Sequence, residues 1–180
     1  MYICAGESEQ FDFAKAVGIG MVDTAVNLTK ICTETVPDEI VFIGTAGSYG
    51  HAGIFDIVES KSAVNIENSY FTAGAYTPMV SRETSLDTAP DSTGNVVVNS
   101  SNYITTDEKI ARCYLDEKIE IENMEFFAVL RMAKLLEIPA KGIFIVTNYC
   151  NKKAHEDFLK NHKEAMDRLD GYVKAHAKKA

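Results

Sequence analysis

Glu122-Asn123-Met124-Glu125-Phe126-Phe127-Ala128 places two acidic side chains against an apolar segment. A helix starting at Met124 would bury Phe127, Ala128, Leu130, Met132 and Leu135 and leave Glu125 at its dry end. An unpaired carboxylate there costs several kcal/mol, so it needs a partner. That partner is either the helix N-terminus, which favours an acid in its first turn, or the hydroxyls of a ligand. Other residues suited to chemistry lie at the ends of apolar runs. Gly18-Ile19-Gly20 opens a helical pattern and offers free N–H groups as an anion cradle. Gly44-Thr45-Ala46-Gly47-Ser48 follows Ile40–Ile43, Asn99–Ile104 follows Val96–Val98, and Thr147–Asn151 follows Gly142–Val146. Small and hydroxyl-bearing residues at the C-terminal ends of parallel strands are where α/β sheets bind ligands.

The elements that must position these residues are legible as periodicities. Apolar residues at 21, 22, 25, 28 and 31 recur at helical spacing. Pro37-Asp38-Glu39 ends that helix. Ile40–Ile43 and Gly142–Val146 are continuous apolar runs, as expected of strands buried on both faces. Ile54–Ser60 and Val96–Val98 read as further strands. Asp107–Asp116 reads as a short helix, Met124 to about Glu137 as a helix ending before Pro139, and Ala154 to about Ala175 as an amphipathic helix. Residues 62–79 read as irregular and 80–95 as a polar surface excursion. Strands alternating with helices predict an α/β fold, with a mostly parallel or mixed sheet flanked by helices. The three polar strand ends and the Met124-Glu125 segment would form one site if they meet at one sheet edge.

The chain of 180 residues reads as a single domain, residues 1–180, long enough for a sizeable core. Its net charge of −8 argues against nonspecific nucleic-acid binding. The locally basic Lys174–Lys179 reads as a frayed helix end. No apolar run is long enough to span a membrane, and the N-terminus lacks the pattern of a secretory signal. Four cysteines without CxxC spacing suit reduced thiols. The expectation is a cytoplasmic protein with no metal site, since the four histidines have no metal-ligand spacing.

Taken in order, these segments resemble the nucleoside phosphorylase family, which also contains methylthioadenosine/S-adenosylhomocysteine nucleosidase. Gly18-Ile19-Gly20 is similar to its SGIG segment, Gly44-Thr45-Ala46-Gly47 to its phosphate loop and Phe55-Asp56-Ile57-Val58 to its G-D-I-V strand. Asn123-Met124-Glu125 is similar to its E-M-E ribose motif, and Val146-Thr147-Asn148-Tyr149 to the strand end that carries the catalytic Asp or Asn. The likeness spans roughly residues 15–175 and is nearest to short bacterial purine-nucleoside phosphorylases. It implies a three-layer sandwich, trimmed at the N-terminus. It implies that Met124 and Glu125 bind ribose, that Gly20 and Thr45 hold phosphate or the attacking water, and that Tyr103 and Ile104 bind the purine. Asn148 would stabilise N7 of the departing base. An Asn donates a hydrogen bond but transfers no proton, and it suits 6-oxopurines.

The implied activity is phosphorolysis of a purine nucleoside, with inorganic phosphate as co-substrate and no other cofactor. The alternatives are hydrolysis of the same bond by water, and a degenerate purine-nucleoside binder or assembly partner. Three departures from the family pattern bear on the choice. Phe42 stands where some branches place a phosphate-binding Arg, so phosphate would rely on backbone donors, a helix N-terminus, Arg82 or a neighbouring subunit. Asn123 replaces the first Glu of E-M-E. The opening strands are reduced to Ile3–Glu9, which would bring Glu7 or Glu9 near the site. The resemblance further implies a homo-oligomer (dimer, trimer or hexamer) in which Tyr70-Phe71 is a candidate to complete a neighbour's site.

Overall fold

The computed structural model describes residues 1–74, 76–79, 81–88 and 96–177. Part of the expected surface excursion, residues 80 and 89–95, and the last part of the basic tail, 178–180, lie outside them. Strands β1 (Tyr2–Cys4), β2 (Lys15–Ala16), β3 (Ile40–Ser48), β4 (Ile57–Ser60), β5 (Ser62–Val64), β6 (Arg82–Thr84), β7 (Val97–Asn99), β8 (Ile121–Glu122) and β9 (Ala140–Tyr149) form one mixed sheet. Helices α1 (Gly20–Glu34), α2 (Glu108–Asp116), α3 (Phe126–Leu135) and α4 (Ala154–Ala177) flank it. Among the described residues no helix is long and apolar enough to cross a membrane.

β3 and β9 are the spine. They pair in parallel from Ile40↔Ala140 to Ser48↔Tyr149. Both run through the interior, which is why their sequences are apolar without alternation. Their side chains still alternate between two cores. Phe42, Phe144 and Val146 face α1 and α3, packing with Leu28, Phe126, Val129 and Leu130. Val41, Ile43, Ile143 and Ile145 face α4, packing with Ala165, Leu169 and Val173. A smaller cluster gathers Tyr49, Tyr114 and Cys150 under α2. The result is the three-layer α/β arrangement expected from the pattern.

The other edge of β3 has a break that matters for function. β1 pairs with β3 only at Val41 and Phe42. β8 pairs with it antiparallel at Gly47 and Ser48. Between these partners, the backbone at Thr45 has no neighbouring strand on that side. Changes of partner of this kind are where open α/β sheets form ligand crevices.

Several boundaries differ from the sequence reading. Ser62–Val64 and Arg82–Thr84 are antiparallel strands rather than loop. The second holds a buried carboxylate, Glu83, paired with Arg131 and Lys134 of α3 at 2.7 and 3.1 Å. Polar composition hid this strand because its one interior residue is an ion-pair partner. α3 begins at Phe126, not Met124, because the Asn123 side chain takes the N–H groups of Glu125 and Phe126, each at 3.0 Å. The shift rotates the buried stripe to Phe126, Val129, Leu130 and Ala133, leaving Leu135 exposed and Phe127 and Met132 half-buried. The opening segment enters the sheet beside β3 as β1. Phe71 packs edge-on to Tyr114 at 4.7 Å, whereas Tyr70 is exposed.

Candidate active site

The break beside Thr45 opens into a cavity of about 310 Å³. Its floor is the end of β3 (Thr45–Gly47) and of β9 (Thr147, Asn148). Met124 and Glu125 form one wall, and Tyr103 and Ile104 overhang it. The start of α4 contributes His155 and Phe158, and the turn after β1 contributes Ser8 and Glu9. The three polar strand ends and the Met-Glu segment therefore do converge: Thr45, Tyr103, Ile104, Met124, Glu125 and Asn148 line the cavity, whereas Gly20, Glu7, Arg82, Tyr70 and Phe71 do not.

Gly20 acts one step back. Its N–H, at the start of α1, donates to Glu125 Oε1 at 2.8 Å. Gly20 has φ +80°, a conformation for which glycine carries no steric cost. It turns the first N–H of α1 toward α3, so the carboxylate of one helix caps the other. Only one oxygen of Glu125 is used in this way, and the carboxylate still lines the cavity. Burial raises the Glu125 pKa to about 7, the Gly20 N–H opposes that rise, and the nearby charge of Glu9 adds to it.

Thr45 is held by two side chains that fill the gap in the sheet. Its N–H donates to Glu9 Oε2 at 3.0 Å, and its hydroxyl donates to Glu9 Oε1. Its carbonyl accepts from Asn123 Nδ2 at 3.1 Å. Asn123 thus performs two tasks, replacing a missing strand partner with its amide N–H and capping α3 with its amide oxygen. The carboxylate of Glu9 reaches this place because Gly6 (φ +95°) and Glu7 (φ +52°) turn the chain tightly after β1, closed by the reciprocal Gly6–Glu9 backbone pair.

At the end of β9, the Asn148 amide is oriented by its neighbours. Its Oδ1 accepts from the Thr147 hydroxyl at 2.9 Å, and its Nδ2 donates to Tyr149 O at 3.3 Å. One N–H of the amide is left for a ligand. Glu122 also lines the cavity, accepting from Tyr49 Oη at 2.9 Å and from Thr105 N at 3.0 Å. Burial pushes its pKa up from the ordinary carboxylate value.

Sequence reasoning gave Glu9 only as proximity and missed Glu122 and Asn123 as working residues. The signal for Glu9 was an acid three residues beyond a glycine at a strand end. Glu122 and Asn123 stood in the central motif but carried no role. Phe42, at the position where the resemblance puts an Arg in some branches of the family, is fully buried between Phe126 and Phe144. Among the described residues lining the cavity, three are glutamates and none is Lys or Arg. Arg131 is engaged by Glu83, Arg168 lies over Phe55, and Arg112 lines a separate depression.

Comparison with known proteins agrees with this geometry. The sequence profile described as the Phosphorylase superfamily matches residues 13–178. The chain belongs to that family. No curated protein sequence matches. Among solved structures, the chain is similar to a futalosine hydrolase mutant of Helicobacter pylori, with TM-score 0.80 and 13% identity over 99% of this chain and 98% of that one. It is similar to the 5′-methylthioadenosine/S-adenosylhomocysteine nucleosidase of S. pneumoniae with a transition-state inhibitor, with TM-score 0.74 and 16% identity over 96% and 95% of the two chains. It is also similar to the D198N mutant of the Helicobacter pylori enzyme with 5′-methylthioadenosine in its active site, with TM-score 0.76 and 16% identity over 93% and 80%. At these identities the likeness is one of fold.

Proposed function

We propose that the protein is a nucleosidase that cleaves the N-glycosidic bond of a purine nucleoside with water. Of the readings open from the residues, this displaces the phosphorolysis that the motif resemblance put first. The observation that carries it is the charge of the cavity: Glu9, Glu122 and Glu125 line it, and no Lys or Arg among the described residues does. A phosphate dianion entering there would meet carboxylates, with no Lys or Arg among the described lining residues to offset its charge. The donors that would hold it are engaged. Gly20 N–H serves Glu125, and both the N–H and hydroxyl of Thr45 serve Glu9. The named activities of the similar structures, nucleosidase and hydrolase, point the same way.

In this mechanism Glu9 is the general base. Thr45 fixes its carboxylate at the cavity wall, where it takes the proton of a water attacking the anomeric carbon. Glu125, with one oxygen pinned by Gly20, offers the other to the ribose hydroxyls beside Met124. The base sits against Tyr103 and Ile104. The free N–H of Asn148 donates to N7 as negative charge develops on the departing purine. Asn148 supplies a hydrogen bond but no proton, so the leaving base must carry its charge well. That favours a 6-oxopurine.

The test is base release from inosine, guanosine, adenosine and methylthioadenosine with and without inorganic phosphate. Release that is independent of phosphate and yields the free sugar is expected, and Glu9→Gln should lower it by about 100-fold or more with folding intact. Phosphate-dependent release of ribose 1-phosphate would restore the phosphorylase reading. Purine binding without release from any nucleoside would assign a binder.

A further inference from the structure

Glu122 has no part in the chemistry above, yet it is a buried carboxylate on the cavity floor, 8% exposed. Its place is fixed by the sheet. It pairs with Gly47 across the β3–β8 ladder, and a Cβ added to Gly47 would lie 3.2 Å from Glu122 Cγ and 3.1 Å from Asn148 Nδ2. Its two oxygens have different partners. Oε2 accepts from Tyr49 Oη, itself held by Asn99 Nδ2 at 3.2 Å. Oε1 accepts from the backbone N–H of Thr105.

That second bond ties down the segment that overhangs the cavity. Ser101 and Thr105 are buried, while Tyr103 and Ile104 between them are exposed apolar side chains at the cavity mouth. The first end is fixed locally: Tyr103 N–H donates to Ser101 Oγ at 3.1 Å, and Ser101 Oγ donates to Glu67 at 2.6 Å. The second end is fixed by Glu122, whose Oε1 accepts from the Thr105 N–H at 3.0 Å. A short loop anchored at both ends holds its tip at a set height above the floor. A flat ring lying between tip and floor is sensitive to that height.

We propose that Glu122 is a positioning residue for base recognition, setting the Tyr103–Ile104 tip over the cavity through the Thr105 N–H. This deepens the purine-site reading and rests on it. The role requires a hydrogen-bond acceptor at Glu122, not a charge and not a transferable proton. Glutamine therefore serves as well as glutamate, and an apolar side chain of the same length does not.

The experiment measures the dissociation constants of hypoxanthine and adenine by calorimetry for the wild type, Glu122→Gln, Glu122→Met and Tyr103→Ala, and for Glu122→Met combined with Tyr103→Ala, with melting temperature recorded for each. Glu122→Gln should stay within about threefold of the wild type, and Glu122→Met should weaken the better base by about tenfold, the scale of one lost hydrogen bond. In the Tyr103→Ala background the Met substitution should add less than about threefold, because the side chain through which it acts is gone. If Glu122→Met alone does not fold, Tyr49→Phe with Glu122→Met removes the hydroxyl it orphans and reads the same quantity. Unchanged binding in Glu122→Met, equal loss in the Gln and Met variants, or fully multiplicative effects with Tyr103→Ala would each overturn the proposal. Wild-type protein that binds neither base would overturn it together with the purine-site reading. The predicted coupling seen beside phosphate-dependent turnover would overturn only hydrolysis.

Discussion

Glu125 shows how one side chain is pulled between structure and chemistry. Its burial disfavours the charge that the proposed ribose binding needs, and the Gly20 N–H offsets part of that cost. Burial raises its pKa to about 7, close to neutral pH. If the ionised form is the one that accepts the ribose hydroxyls, kcat/KM should rise with pH through about 7, and a pH–rate profile should show Glu125→Gln losing that limb. Residue identity alone pointed to Glu125, because an acid ahead of an apolar helix needs a reason. It did not give the partner, because Gly20 lies 105 positions away. Glu9 and Thr45 are the same lesson across 36 positions. A contact between two short polar segments leaves no periodic trace in either.

At the scale of elements, capping and ion pairing decided what propensity left open. The start of α3 follows from the Asn123 side chain, and its buried stripe follows from that start. On the far side of α3, Arg131 and Lys134 hold Glu83 of β6, which is fully buried while both cations are half exposed. This asymmetry gives a stability prediction. Replacing both Arg131 and Lys134 by Ala leaves a buried carboxylate without a countercharge and should cost about 3–5 kcal/mol. Glu83→Gln leaves two cations that solvent can reach and should cost clearly less. Urea unfolding of the two variants beside the wild type measures the difference. Long apolar elements were read correctly because burial on both faces needs an unbroken run. The three-residue strands β5 and β6 were not, since a segment that short has too few side chains to display a period.

For the whole molecule, the site's acidity has a thermodynamic consequence. Glu122 and Glu125 both have pKa values raised in the folded state above the ordinary 4.5, so as pH rises from about 4.5 toward 7 these two groups hold more protons in the folded protein than in the unfolded chain. Their contribution to stability then falls as pH rises through that window. For Glu125, a rise from 4.5 to about 7 corresponds to roughly 3 kcal/mol. Urea midpoints at about pH 5 and about pH 7.5 should show a loss in the wild type that Glu125→Gln reduces, with Glu122 supplying the remainder. An unchanged pH dependence in that variant would remove Glu125 as its source.

What the sequence determined by itself was the α/β class, the two buried central strands, the long helices, and the polar strand ends that carry Thr45 and Asn148; that these meet Tyr103, Ile104, Met124 and Glu125 in one cavity was decided by the tertiary structure. Each of the sequence features is a local pattern: an apolar run, a helical period, or small polar residues at a strand end. Only the tertiary structure decided the character of the cavity those residues line. β3 exchanges β1 for β8 at Thr45, and the exposed backbone there is met by Glu9 and Asn123 from distant segments. Phe42 turns into the core at the position where some branches of the family place an Arg. Whether a strand end presents positive or negative charge depends on which remote side chains fold against it, and that information is distributed over the whole chain.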